Sequence, residues 1–216
     1  MVNVYEDEKS QAVYTIIDKS RVMHMPFNGL TLFDYAVNAS LVIATSFLGN
    51  RTKRVSSRSL KFQRQGIRAD RGKHQLKKIL EALYNEKEGS VEANYESMYM
   101  SLRDLVNGRA LLFLYTNFES SYALQRALPQ LRKLNDQHLL VVVFFENTEV
   151  SSKASASVIP WKIFINRFTA ETYMLTKIQL VQQLRQFGIM SILTKPENLT
   201  VASINKYLEL KSRGMI

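Results

Sequence analysis

The chain has 216 residues, 46% of them hydrophobic, which is enough for one large domain or two small ones with a sizeable core. It has no cysteine and three scattered histidines (His24, His74, His138), which excludes disulfides and thiolate metal sites and argues against a histidine-held catalytic metal. Its net charge of +10 is concentrated. Between Arg51 and Lys78 lie eleven Lys or Arg and a single acid, Asp70, so that stretch carries 11 − 1 = +10, and the remaining 18 bases and 18 acids cancel.

In chain order, MVNVYEDEKSQ is too acidic and polar for a signal peptide, and no apolar run approaches the roughly 20 residues that span a bilayer. The expected compartment is the cytoplasm, with no membrane contact by this chain itself. Val13 to Ile17, β-branched or aromatic throughout, reads as a strand covered on both faces and leads into Asp18, Lys19 and Ser20. In an open α/β sheet ligands bind beyond the carboxyl ends of the strands, which is where these polar residues fall. Asp and Ser also favour turns for local reasons. Pro26, Asn28 and Gly29 make a turn, and Thr31 caps a helix over about Leu32 to Phe47 whose apolar residues recur at steps of three and four.

The next stretch, from Gly49 to Gly72, has few large apolar residues and many cations. It reads as a weak edge hairpin or a disordered loop. Amphipathic helices follow over KHQLKKILEALYNE and, after Asn94, over YESMYMSLRDLV, with Gly108 as a stop. ALLFLYT (Ala110 to Thr116) is a second buried strand, again with polar residues, Thr116 and Asn117, at its end. A helix starts at Ser120 or Ser121, and Pro129 should kink it or delay its start. HLLVVVFF (His138 to Phe145) suits a central strand, and Glu149 to Ser157 a surface loop. A helix over Thr169 to Phe187 closed by Gly188, a strand over Ile189 to Leu193 and a helix over Leu199 to Arg213 complete the chain. This alternation predicts an α/β fold of three layers, a mostly parallel twisted sheet with helices on both faces, in a single domain over 1–216 with an atypical basic segment at 51–66.

Chemistry-bearing motifs are sparse. No GxGxxG, GxxxxGK[ST] or GxSxG is present, so phosphate loops and a nucleophile elbow are not expected. The basic stretch, with Arg51, Lys53, Arg54, Arg58, Lys61 and Arg64, could hold nucleic acid or another polyanion, but only Phe62 interleaves it, which argues against base stacking. The strand ends Asp18-Lys19-Ser20 and Thr116-Asn117 remain, whose oxygens suit a hard cation such as Mg²⁺.

On these residues the chain resembles the von Willebrand factor A-like domain of the MoxR-associated bacterial family of uncharacterised proteins. IIDKSRVM stands at the Asp-x-Ser-x-Ser motif, LFLYTNFES at the later strand and VEANYESMY at the middle Thr loop, with FNGLTLFDYAVNASL, HLLVVVFFENTEV and the C-terminal LRQFGIMSILTKPENLTVASINKYLELK as further matches. The resemblance implies a degenerate metal site. Asp18 and Ser20 match, Asn117 replaces a carboxylate, and Val22 and about Ala93 stand where further ligands would be. With one carboxylate left, Mg²⁺ is not expected to bind strongly and no other cofactor is expected. The resemblance further implies a non-enzymatic protein-interaction module without a small-molecule substrate, working with a MoxR-type ATPase in assembly or maturation of complexes. Asp18, Ser20, Asn94 and Asn117 would form its partner surface. It also implies that this chain is a fragment of a longer, membrane-associated form, in which 51–66 is a diverged or frame-shifted replacement of an apolar strand.

Overall fold

The computed structural model describes residues 12–48, 55–60, 81, 92–146 and 160–216. The strands are β1 (Ala12–Asp18), β2 (Pro26–Phe27), β3 (Leu30–Thr31), β4 (Val55–Leu60), β5 (Ala110–Tyr115), β6 (Leu139–Phe145) and β7 (Met190–Thr194). The helices are α1 (Leu32–Leu48), α2 (Tyr95–Leu105), α3 (Ser121–Gln137), α4 (Pro160–Gln186) and α5 (Leu199–Ser212). Five strands form one sheet in the order β4-β1-β5-β6-β7, every pair parallel. The chain is therefore a mixed α/β fold on a parallel sheet.

Side-chain alternation along the strands sorts the core into two. Val13 and Ile17, Leu111, Phe113 and Tyr115, and Val141, Val143 and Phe145 pack with Leu32, Ala36, Ala39 and Ile43 of α1 and Leu199, Tyr207 and Leu210 of α5. The intervening residues, among them Ile16, Leu112, Leu114, Val142 and Phe144, pack with Met98 and Leu102 of α2, Leu124, Ala127 and Leu131 of α3, and Leu180 and Leu184 of α4. Both faces are thus covered by helices, which is why β5 and β6 carry unbroken apolar runs.

Local signals set several boundaries. Asn28 and Gly29, both at positive φ (48° and 80°), turn the short β2–β3 hairpin. At the start of α1 the Asp34 carboxylate accepts from the Thr31 backbone N–H at 2.8 Å while Asp34 N–H donates to Thr31 Oγ1 at 3.2 Å, a reciprocal cap. Gly188 (φ 70°) ends α4, with Gly188 N–H bonded to Arg185 O and Ile189 N–H to Leu184 O.

Two expectations are corrected and one is met in part. Within the stretch expected as a weak edge hairpin or a loop, residues 55–60 form an edge strand, and it is parallel to β1, paired from Val13–Val55 to Asp18–Leu60, because backbone ladder bonds to β1 do not depend on an apolar side-chain pattern. As expected, Pro129 is interior to α3 and the helix starts at Ser121, so the proline does not delay it. Packing of Leu124, Ala127, Leu131 and Leu134 outweighs the lost backbone bond, and Pro129 itself is exposed. Helix α4 begins at Pro160, nine residues before Thr169, since proline at a first helical position is a start signal. The expected helix after Gly72 and the loop from Glu149 to Ser157 lie outside the described residues, apart from Glu81. Among the described residues no helix is long and apolar enough to cross a membrane.

Phe113, fully buried in the middle of β5, is expected to lose about 3–5 kcal/mol of stability as Phe113→Ala. The exposed Tyr122→Ala is expected to change it by less than about 0.5 kcal/mol. Urea unfolding of the two variants beside the parent checks both.

Candidate functional site

The chain runs from β1 outward to the edge strand β4 and then returns to β5 on the other side of β1. The boundary between β1 and β5 is therefore the switch point of the sheet, where crossovers diverge and a crevice opens beyond the strand ends. β1 and β5 are parallel and in register from Ala12–Ala110 to Ile17–Tyr115, so Asp18 and Thr116 emerge side by side.

Asp18 is buried, 6% exposed. Its Oδ1 accepts from the Ser20 backbone N–H at 2.8 Å, an Asx turn, and its Oδ2 accepts from Thr116 Oγ1 at 2.7 Å. Thr116 is anchored in turn by its N–H on Val143 O, and the Tyr95 hydroxyl reaches Thr116 Oγ1 at 2.9 Å and Asp18 Oδ2 at 3.4 Å. Since Thr116 donates to the carboxylate, the tyrosine donates to the threonine, and a donor chain runs Tyr95 to Thr116 to Asp18. Burial, and then the Asp18 charge, raise the Tyr95 pKa well above that of an ordinary phenol, so the proton stays on Tyr95. Asn94 places Tyr95 there by capping α2, its side chain accepting from Ser97 N–H.

On the other side of Thr116, Asn117 is 2% exposed. Its Oδ1 accepts from Nζ of Lys177, which comes from α4 and is 1% exposed, and the same Nζ donates to Phe118 O at 2.6 Å. Asn117 Nδ2 faces Met25 Sδ at 3.6 Å. Burial lowers the Lys177 pKa to about 7, with the nearby Glu119 charge pulling the other way. The Phe118 ring packs on Tyr95 and Phe144, each at 5.6 Å between centroids.

Above these groups lies a cleft of about 550 Å³, lined among others by Ser20, Arg21, Asn94, Tyr95, Asn117 and Arg126. Arg21 pairs with Glu119 and Arg126 with Glu92, each at 3.4 Å between exposed side chains. Glu96 is a third acid on the same rim, which therefore carries mixed charge.

The structure brings Asp18, Ser20 and Asn117 to one end of the sheet, with Asn94 on the cleft lip. Only Asn94 of the four is exposed, and Asp18 is not part of the cleft lining. Of the partner surface expected at all four, only Asn94 is exposed, and the Asp18 and Asn117 side chains are engaged in internal hydrogen bonds. The donor set also does not fit a divalent cation. The single carboxylate already accepts from Thr116 and Ser20, the Asn117 oxygen holds an amine, Val22 and Ala93 offer no side-chain oxygen, and no cluster of three acidic, His or Cys residues occurs among the described residues. Of the basic residues, Arg58 lies in β4, and Arg51, Lys53, Arg54, Lys61 and Arg64 lie outside the described residues. Tyr95 and Lys177 were not singled out from sequence. Lys177 did carry a signal, since it interrupts the stripe of Tyr173, Leu180 and Leu184 that recurs at helical spacing along α4.

No protein-family model matches the chain, and no curated protein matches it. Among solved structures the PilB minor pilin from Streptococcus sanguinis is 10% identical with a TM-score of 0.58, over 95% of this chain and 63% of the pilin. A point mutant of the same pilin gives 10% identity and 0.57, over 93% and 61%. This chain thus spans less than two thirds of that pilin, and likeness at such identity extends to the fold alone. These findings overturn the resemblance to a von Willebrand factor A-like domain of the MoxR-associated family, because the two solved structures above are of a minor pilin and no family model supports the assignment. The physical reason is visible in the site: Asp-x-Ser after a strand here makes an Asx turn, which any parallel sheet can use to end a strand.

Removing the donor to the buried carboxylate is expected to cost more than removing the outer member of the chain. Thr116→Val should lower stability by about 1.5–3 kcal/mol and Tyr95→Phe by about 0.5–1.5 kcal/mol, read from urea unfolding at neutral pH.

Proposed function

We propose that the chain is a non-enzymatic binding module that takes a protein partner in the cleft at the carboxyl ends of β1 and β5. The observation that carries this reading is the cleft at the switch point, with a rim of mixed Arg and Glu charge above the bonded pairs Thr116–Asp18 and Lys177–Asn117. Catalysis would want a nucleophile, a base and an orienting group converging in that space. Ser20, the hydroxyl in the lining, has no hydrogen-bond partner for its Oγ among the described residues, and His138 precedes β6 at the amino end of the strands, the opposite end of the sheet from the cleft. A mixed-charge rim suits a polypeptide, whose side chains can exchange partners with both ion pairs, better than it suits a polyanion.

The contact is metal-independent on this reading, because Lys177 and Thr116 already occupy the oxygens a cation would need. The ATPase partner rested on the resemblance corrected above and is not retained. Binding of nucleic acid or another polyanion through 51–78 stands as the second reading, favoured by the concentration of the whole net charge in that stretch.

A photo-crosslinking residue placed at Asn94, on the cleft lip, is expected to capture one discrete protein in cells. Arg126→Glu should reduce capture several-fold and EDTA should leave it unchanged, while the same probe at exposed Asn205 on α5 captures nothing. Equal capture at both places, or loss of capture with EDTA, would sink the reading. Heparin retention that disappears when the cations of 51–78 are neutralised would favour the second one.

A further inference from the structure

Lys177 and Asn117 are sixty residues apart in sequence and meet in the interior, 1% and 2% exposed. Nζ lies against the Asn117 carboxamide and is steadied by its bond to Phe118 O at 2.6 Å. The Tyr173 ring, one helical turn before Lys177, covers the amine with its centroid 4.9 Å from Nζ. The Tyr173 hydroxyl is buried beside the Asn117 amide. The charge of Glu119, two residues after Asn117, acts on both Lys177 and Tyr173. A primary amine, a carboxamide and a phenol are thus gathered at one place, with both reacting partners out of solvent.

We propose that Lys177 and Asn117 condense into an intramolecular amide bond that joins helix α4 covalently to the loop after β5. Rotation about Cε–Nζ, with the Phe118 bond kept, turns the nitrogen lone pair toward Asn117 Cγ. The Nζ–Cγ bond forms and the Cγ–Nδ2 bond breaks. The proton that Nζ gives up passes to Nδ2, which departs as ammonia, with the Tyr173 hydroxyl hydrogen-bonding the leaving nitrogen. Amine and carboxamide become a secondary amide and ammonia, with no oxidant, metal or cofactor.

Three physical conditions favour the step. The attacking amine must be uncharged, and burial lowers Lys177 to about 7, so a large share is uncharged at neutral pH. Water, the competing nucleophile, is kept out. The fold holds the two groups in contact, which turns a sluggish bimolecular aminolysis into a unimolecular one of high effective molarity. The bond would form whatever the cleft binds, so the inference stands independently of the function proposed above.

Intact-mass measurement of the purified, denatured full chain tests it. The expected mass is lower than that of the sequence by one ammonia, and trypsin should yield a single branched peptide containing Asn117 and Lys177. Lys177→Met and Asn117→Ala should each return to the mass of their own sequence, a readout that does not require either variant to fold. A parent chain that keeps its full sequence mass after prolonged incubation at mildly alkaline pH overturns the proposal. So does an ammonia loss that persists in Lys177→Met, which would mark a succinimide at Asn117 instead.

Discussion

The structure depends on one pairing, β1 laid parallel to β5 with their carboxyl ends flush. That pairing lets Thr116 donate to Asp18, and the bond in turn makes a buried carboxylate tolerable at the end of a core strand. Slipping the register by one residue would turn Thr116 to the other face of the sheet and leave Asp18 with its Asx turn and a distant phenol. The hydroxyl that satisfies the charge thereby also fixes where the crevice opens.

Most polar atoms at the strand ends are engaged inward. Asp18 holds Ser20 and Thr116, Thr116 holds Tyr95, and Asn117 holds Lys177. Beneath the cleft these residues form a hydrogen-bonded layer, and adaptable contact falls to the lip, where Asn94 and the two loosely held Arg/Glu pairs sit. Such rim pairs contribute little to stability, which leaves them free to rearrange around a ligand. Elements of both the sheet and the second helix layer meet here, since α2 supplies Tyr95 and α4 supplies Lys177.

The sheet and its two coats of helices were legible in the sequence because unbroken apolar strands such as ALLFLY and LLVVVFF admit few other places. Asp18 and Thr116 were legible as strand-end residues for the same reason. What the pattern could not carry was contact across long separations: Tyr95 and Lys177 lie 77 and 60 residues from the groups they serve. An edge position for the stretch holding Val55–Leu60 was one of two readings, but its parallel ladder to β1 escaped because that ladder uses backbone atoms, which every residue but proline supplies alike. Reading the Asp-x-Ser triplet as a family mark failed for a related reason, since a local turn preference suffices to produce it.

The division of the core by the sheet has a further consequence. Val13, Phe113 and Val143 look toward α1 and α5, while Ile16, Leu114 and Val142 look toward α2, α3 and α4. Substitutions within one compartment share neighbours and must compensate one another, whereas changes on opposite sides of the strands are nearly additive. Over generations the two halves of the interior can drift as separate puzzles, tied to a common tempo only by the backbone that runs between them.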